Sequence, residues 1–162
     1  MDSGTIIIGA ISIAICILPF VVLRSNRKKI EKKRLQSLED IAAQHNCTIT
    51  QHEFCGEFVI GLDEANNFVF FFRKTKDNEI ARYINLAGIQ KCKVINTSRN
   101  YSNQGGEYKA VDRLELSFVP VAKNEPDLLL EIYNAEESMQ LVGELQLVEK
   151  WAKRINDQVD RQ

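Results

Sequence analysis

Residues 5–23, TIIIGAISIAICILPFVVL, run nineteen positions without a charge, and Lys or Arg then fills seven of the next eleven. An apolar helix of that length reaches roughly 28 Å at about 1.5 Å per residue, which matches the hydrocarbon core of a bilayer. A cleaved signal peptide would instead carry basic residues ahead of a shorter apolar stretch and a small-x-small cleavage site. Only Met1, Asp2, Ser3 and Gly4 stand ahead of this one. The positive-inside rule therefore predicts a single span in the inner or plasma membrane, with the N-terminus outside and the chain from Arg24 onward in the cytoplasm. The alternative is a lipoprotein box at Ile13-Ala14-Ile15-Cys16, tethering an exported domain through Cys16, but bulky Ile15 stands where that signal takes a small residue. Pro19 removes a backbone hydrogen bond and is expected to bend the span near its cytoplasmic end.

The basic cluster comprises Arg24, Arg27, Lys28, Lys29, Lys32, Lys33 and Arg34, against the single acid Glu31. Each cation beside an anionic leaflet gains about 1 kcal/mol, so all seven are candidate lipid-headgroup contacts, and a plain topology signal accounts for them equally well. Residues 24–46 lack Pro and Gly and carry Ile30, Leu35, Leu38, Ile41 and Ala42 as one apolar stripe, predicting a helix that continues the span outward. From Leu35 the balance reverses to 14 basic and 20 acidic residues, net −6, which argues against a nucleic-acid partner. Three segments follow: an anchor over 1–23, a basic juxtamembrane helix over 24–46, and a domain over 47–162.

Within the domain the period changes from 3.6 to 2. Seven short β-rich runs are expected, over residues 47–52, 56–62, 68–73, 80–85, 89–96, 111–119 and 128–133. Leu114, Leu116 and Phe118 alternate with Arg113, Glu115 and Ser117, as in a sheet with one wet face. Residues 68–72, FVFFF, are apolar on both faces, so something must cover their outer side. The chain closes with an amphipathic helix: Leu141, Val142, Leu145, Val148, Trp151, Ala152, Ile155 and Val159 share one face, and Glu144, Glu149, Lys150, Lys153 and Asp157 the other. Asn134 and Glu137 have the form of a capping pair that would start it.

Seven antiparallel strands followed by one helix with a core tryptophan, here Trp151, resembles the pleckstrin-homology-like domain. The whole is also similar to small uncharacterised bacterial proteins that set such a domain behind one membrane span. The resemblance implies an α+β fold, a seven-stranded antiparallel barrel or sandwich capped by the C-terminal helix. It does not carry over the family's phosphoinositide site, because residues 47–72 hold no Lys or Arg and include Glu53, Glu57, Asp63 and Glu64.

Nothing in the sequence points to catalysis, a cofactor or a small-molecule substrate. His45, Cys47, His52 and Cys55 are four soft ligands within eleven residues, yet a strand over 47–52 would hold its ends roughly 16 Å apart, too far for one metal ion. Glu53 and Glu57 are read as solvated carboxylates rather than an acid/base pair. The polar stretch 99–110, RNYSNQGGEYKA, is longer than a tight hairpin needs, and Arg99, Tyr101 and Tyr108 there are candidate partner contacts. The expected function is a membrane-anchored cytoplasmic interaction or scaffold module bound to an unidentified protein. The alternative is a peripheral anionic-lipid sensor working through the basic cluster.

Overall fold

The computed structural model describes the backbone of residues 3–75, 78–103, 106–137 and 140–162, with the side chains of these except 3–23, 101–103 and 107–109. The element order is α1 (Ser3–Gln44), β1 (Gln51–Cys55), β2 (Phe58–Asp63), β3 (Phe68–Lys74), β4 (Glu79–Asn85), a 3-10 turn (Leu86–Gly88), β5 (Ile89–Asn103), β6 (Gly106–Pro120), β7 (Leu128–Asn134) and α2 (Glu144–Val159). The expected span, the Pro19 bend and Cys16 all depend on side chains outside the described residues.

Helix α1 ends where its backbone is forced to turn. Asn46 takes a left-handed φ of 55°, the Asn46 amide donates to the Ala43 carbonyl and the Cys47 amide to the Ala42 carbonyl, closing a Schellman cap in which Asn stands where Gly is usual. The last turns of α1 are part of the folded body. Leu38 and Ala42 are buried with Cys47, Val59, Phe70 and Phe72, and Ile41, Ile49, Phe54 and Phe68 pack around them. The outer cover that FVFFF requires is thus the basic helix itself. Its close approach depends on Gly61 of β2, where a Cβ would stand 2.8 Å from Leu38 Cδ2 and 3.0 Å from Ile49 Cγ2.

The strands form two antiparallel sheets, ordered β1-β2-β3-β4 and β5-β6-β7. This gives the expected α+β architecture with seven antiparallel strands and a C-terminal helix, but the barrel does not close: among the described residues no strand ladder joins β4 to β5 or β1 to β7. Alternation along β3 serves both faces, since Phe70 and Phe72 meet α1 while Val69 and Phe71 enter a second core with Ile60, Leu62, Leu116, Phe118, Leu130 and Ile132. That core is completed by Leu147, Val148, Trp151, Ala152 and Ile155 of α2.

Several expectations shift. The first strand begins at Gln51 rather than residue 47, because Thr48 is held by its amide on Asp63 Oδ2 at 2.7 Å instead of in a ladder. The second begins at Phe58, since Gly56 at φ 51° and Glu57 form the hairpin turn between Cys55 and Phe58. Residues 99–103 and 106–110 are strand rather than loop: past a register shift at Thr97/Ser98, β5 and β6 pair out to Asn103 and Gly106, a ribbon with no apolar alternation to announce it. Asn134 and Glu137 do not start α2; Asn134 Oδ1 accepts from the Glu136 amide in a local turn, and α2 begins after Gly143. Val142, expected to be buried, therefore precedes the helix and is 72% exposed, whereas Glu144, expected on the wet face, is buried and accepts from the Val142 amide.

Buried Asp63 organises the β2–β3 turn by accepting from the amides of Thr48, Ala65 and Asn66 and from Asn66 Nδ2. Burial pushes its pKa up, but those hydrogen bonds outweigh burial and leave it below the ordinary carboxylate value. The stability it contributes is complete above the unfolded-state pKa of about 3.9 and is lost as pH falls through the lower folded value. The stability gap between wild type and Asp63→Asn should accordingly be widest at neutral pH and shrink below about pH 4, as read by urea unfolding at a series of pH values. At the α1 interface, Gly61→Ala should cost about 1 to 3 kcal/mol, and Leu38→Ala introduced alongside it should cost less than in the wild-type background, a coupling measurable by a double-mutant cycle.

Candidate functional site

The residues singled out for lipid contact lie on α1 where it leaves the sheet. Arg24, Arg27, Lys28, Lys29, Lys32 and Lys33 are exposed. Arg34 is half-buried and structural: Nη1 donates to the Gly56 carbonyl at 2.6 Å and Nη2 to the Lys74 carbonyl at 3.4 Å. One planar guanidinium thereby ties α1 to the β1–β2 turn and to the end of β3, a use of the rigid fork that an ammonium cannot copy. Burial lowers its pKa, opposed by the charges of Glu57 and Glu31, and an arginine keeps its proton regardless.

Two grooves flank this strut. One of about 590 Å³ is lined by Ile30, Lys33, Arg34, Gln36, Ser37, Asp40, Glu57, Phe72, Lys74 and Thr75. The other, of about 290 Å³, shares Ile30 and Arg34 and adds Arg27, Glu31, Phe54, Gly56 and Val142. Their walls mix apolar and cationic side chains with the acids Glu31, Asp40 and Glu57. Lys74 is engaged by Glu79 at 2.5 Å, while Ile30 is 49% exposed.

The candidate partner contacts belong to a separate element. Arg99 Nε pairs with Asp112 Oδ2 at 3.0 Å across the β5–β6 ribbon. Tyr101 and Tyr108 face each other in its backbone register, and their side chains lie outside the described residues.

The soft ligands are dispersed. The His45 ring lies 3.9 Å from that of Tyr83, and the His52 ring meets Phe54 edge-on. Cys47, Cys55 and Cys92 are buried free thiols. Burial, then Asp63, raises Cys47; burial, then Glu144 and Glu53, pushes Cys55 up to about 11; burial alone takes Cys92 to about 12. Thiols so placed carry almost no thiolate at neutral pH, the form that nucleophilic and metal chemistry require. Among the described residues, no three His, Cys, Asp or Glu side chains group as metal ligands. Glu53 accepts from Lys150 Nζ at 2.8 Å and from Trp151 Nε1 at 3.1 Å. Burial pushes its pKa up, yet these bonds and the charges of Lys150 and Arg154 prevail and hold it below the usual value, so it stays an anion rather than a general acid.

Sequence reasoning missed the polar clamps that join α2 to the sheets. Asn156 accepts from the Cys92 amide at 2.8 Å and donates to the Cys92 carbonyl at 2.9 Å, standing in for a strand partner on β5. Gln158 Nε2 donates to the Glu64 carbonyl at 2.8 Å. Arg73, buried in β3, pairs with Glu131 at 3.6 Å and Glu137 at 3.1 Å across the gap between sheets. An Asn or Gln on a helix carries no sequence signal for such a role, whereas the run Asp63 to Asn67 is a legible turn signal.

Compared with protein-family models, curated proteins and solved structures, the chain matches none. Arg34→Ala should cost about 1 kcal/mol through loss of the bridging hydrogen bonds, water taking over the two exposed carbonyls, and limited trypsin digestion should then cut residues 24–33 faster than in wild type.

Proposed function

We propose that this chain is a single-pass membrane protein whose pleckstrin-homology-like domain lies in the cytoplasm and serves as an interaction or scaffold module with no catalytic chemistry of its own. The observation that carries the reading is the continuity of α1 from Ser3 to Gln44, with Leu38 and Ala42 in the core of the domain. A helix that leaves an apolar, uncharged run at residue 23 and enters the folded core fifteen residues later leaves no slack, so the domain is carried at a set height and orientation. Among the described residues no helix is long and apolar enough to cross a membrane; the span rests on the sequence of residues 5–23.

The family likeness is supported by four plus three antiparallel strands, the helix that follows them, and Trp151 fully buried on that helix. A scaffold role is supported by edge strands available for strand addition, notably β4, where Ala81, Arg82 and Tyr83 are exposed. The lipid-sensor alternative draws on the six exposed cations of α1.

Carbonate-washed membranes should retain the full chain, and protease added to sealed right-side-out cells should leave the domain intact. Digestion of the domain would reverse the orientation. Proximity labelling from the domain should return the same partners after the six exposed basic residues are neutralised with Arg34 kept; loss of those partners together with loss of anionic-vesicle binding would favour the lipid sensor.

A further inference from the structure

The end of the domain nearest residue 23 is identified by Arg34, which touches both the β1–β2 turn and the Lys74 end of β3. Arg27 and Ile30 lie about 6 and 10 Å beyond Leu23 along a helix rising 1.5 Å per residue, the depth at which an anionic leaflet presents its headgroups once the helix tilts. Val142 shares a groove with both, on a segment more than a hundred residues later in the chain, and is 72% exposed. A valine left in solvent beside cations has the composition of a surface that sinks its apolar part into the headgroup boundary.

The acids around it are largely offset. Glu31, which lines the same groove, and Glu57 both face the Arg34 charge, Glu79 is paired with Lys74 at 2.5 Å, and Asp40 stands about 25 Å past Leu23, outside the headgroup layer. Arg27 and Lys33 are both exposed and flank Ile30, Arg27 on the groove that holds Val142 and Lys33 on the neighbouring one.

We infer that this end of the domain, through Val142 and Ile30 with Arg27 and Lys33 beside them, rests on the headgroup layer of an anionic bilayer, which fixes the domain's orientation; this rests on the membrane-anchored reading above. The opposite end of the sheet supplies an internal control. Phe68 of β3 pairs with Asn85 of β4, and Val121, 61% exposed, donates its amide to the nearby Gly88 carbonyl. Seven residues of strand set that end roughly 20 Å farther from the bilayer.

The test reconstitutes the full chain carrying Val142→Trp or Val121→Trp into phosphatidylcholine/phosphatidylserine vesicles that contain a lipid with a quencher near its headgroup. Native Trp151 is fully buried, so the wild-type chain gives the blank. Emission from Val142→Trp should be strongly quenched and that from Val121→Trp little changed, and the quenching should weaken in pure phosphatidylcholine or with Lys33→Gln added. Unquenched Val142→Trp in carbonate-resistant vesicles overturns the inference while the anchor stands, as does equal quenching of both tryptophans. Emission of Val142→Trp that varies with protein concentration in detergent would assign the face to a second copy instead, against the inference. Release by carbonate overturns the anchored reading and the inference together.

Discussion

The contact on which the rest depends is the seating of α1 on the outer face of β2 and β3. A strand reading FVFFF has no wet face, and leaving Phe70 and Phe72 in water would forfeit roughly 1.5 to 3 kcal/mol for each. Leu38 and Ala42 cover them, both essentially buried, and Gly61 supplies the space for the helix to come close. Because the covering element is also the chain's entry to the domain, the same apolar contact that stabilises the sheet decides how the domain is oriented to everything before residue 24.

The second constraint is the corner left open by two sheets that do not join. Helix α2 closes it with apolar side chains at its centre and polar clamps along its length. Trp151 fills the core and passes its indole N–H to Glu53, Asn156 occupies the amide and carbonyl of Cys92, and Gln158 reaches the β2–β3 turn. Arg73 spans the same gap farther along through Glu131 and Glu137. Each bond satisfies a group that would otherwise be desolvated without a partner, and each fixes the register of helix against strand that hydrophobic packing alone leaves loose.

Much of this was legible early. The seven strands follow from apolar alternation, and the buried face of α2 is largely the one that helical periodicity names, because burial of one face leaves a period in the sequence. What failed to show was whatever lacks a period. The β5–β6 ribbon beyond Asn96 is held by backbone hydrogen bonds with polar side chains, so it read as a loop. Val142 and Glu144 exchanged roles because a left-handed Gly143, not the Asn134 turn, sets the first residue of α2. Arg34 read as one more cation in a basic run, since no pattern distinguishes a guanidinium that will find two carbonyls from six neighbours that remain in solvent.

The sequence by itself determined an uncharged apolar stretch ahead of a basic helix, an acidic body, seven strands and an amphipathic closing helix, because charge and hydrophobic period are local properties written residue by residue. Tertiary structure alone decided that the basic helix covers FVFFF, that the sheets stay open and are bridged by α2, and that Arg34 is a strut while Val142 faces out. Those outcomes depend on which surfaces meet across long separations in the chain, and the energy of such meetings belongs to the pair rather than to either residue.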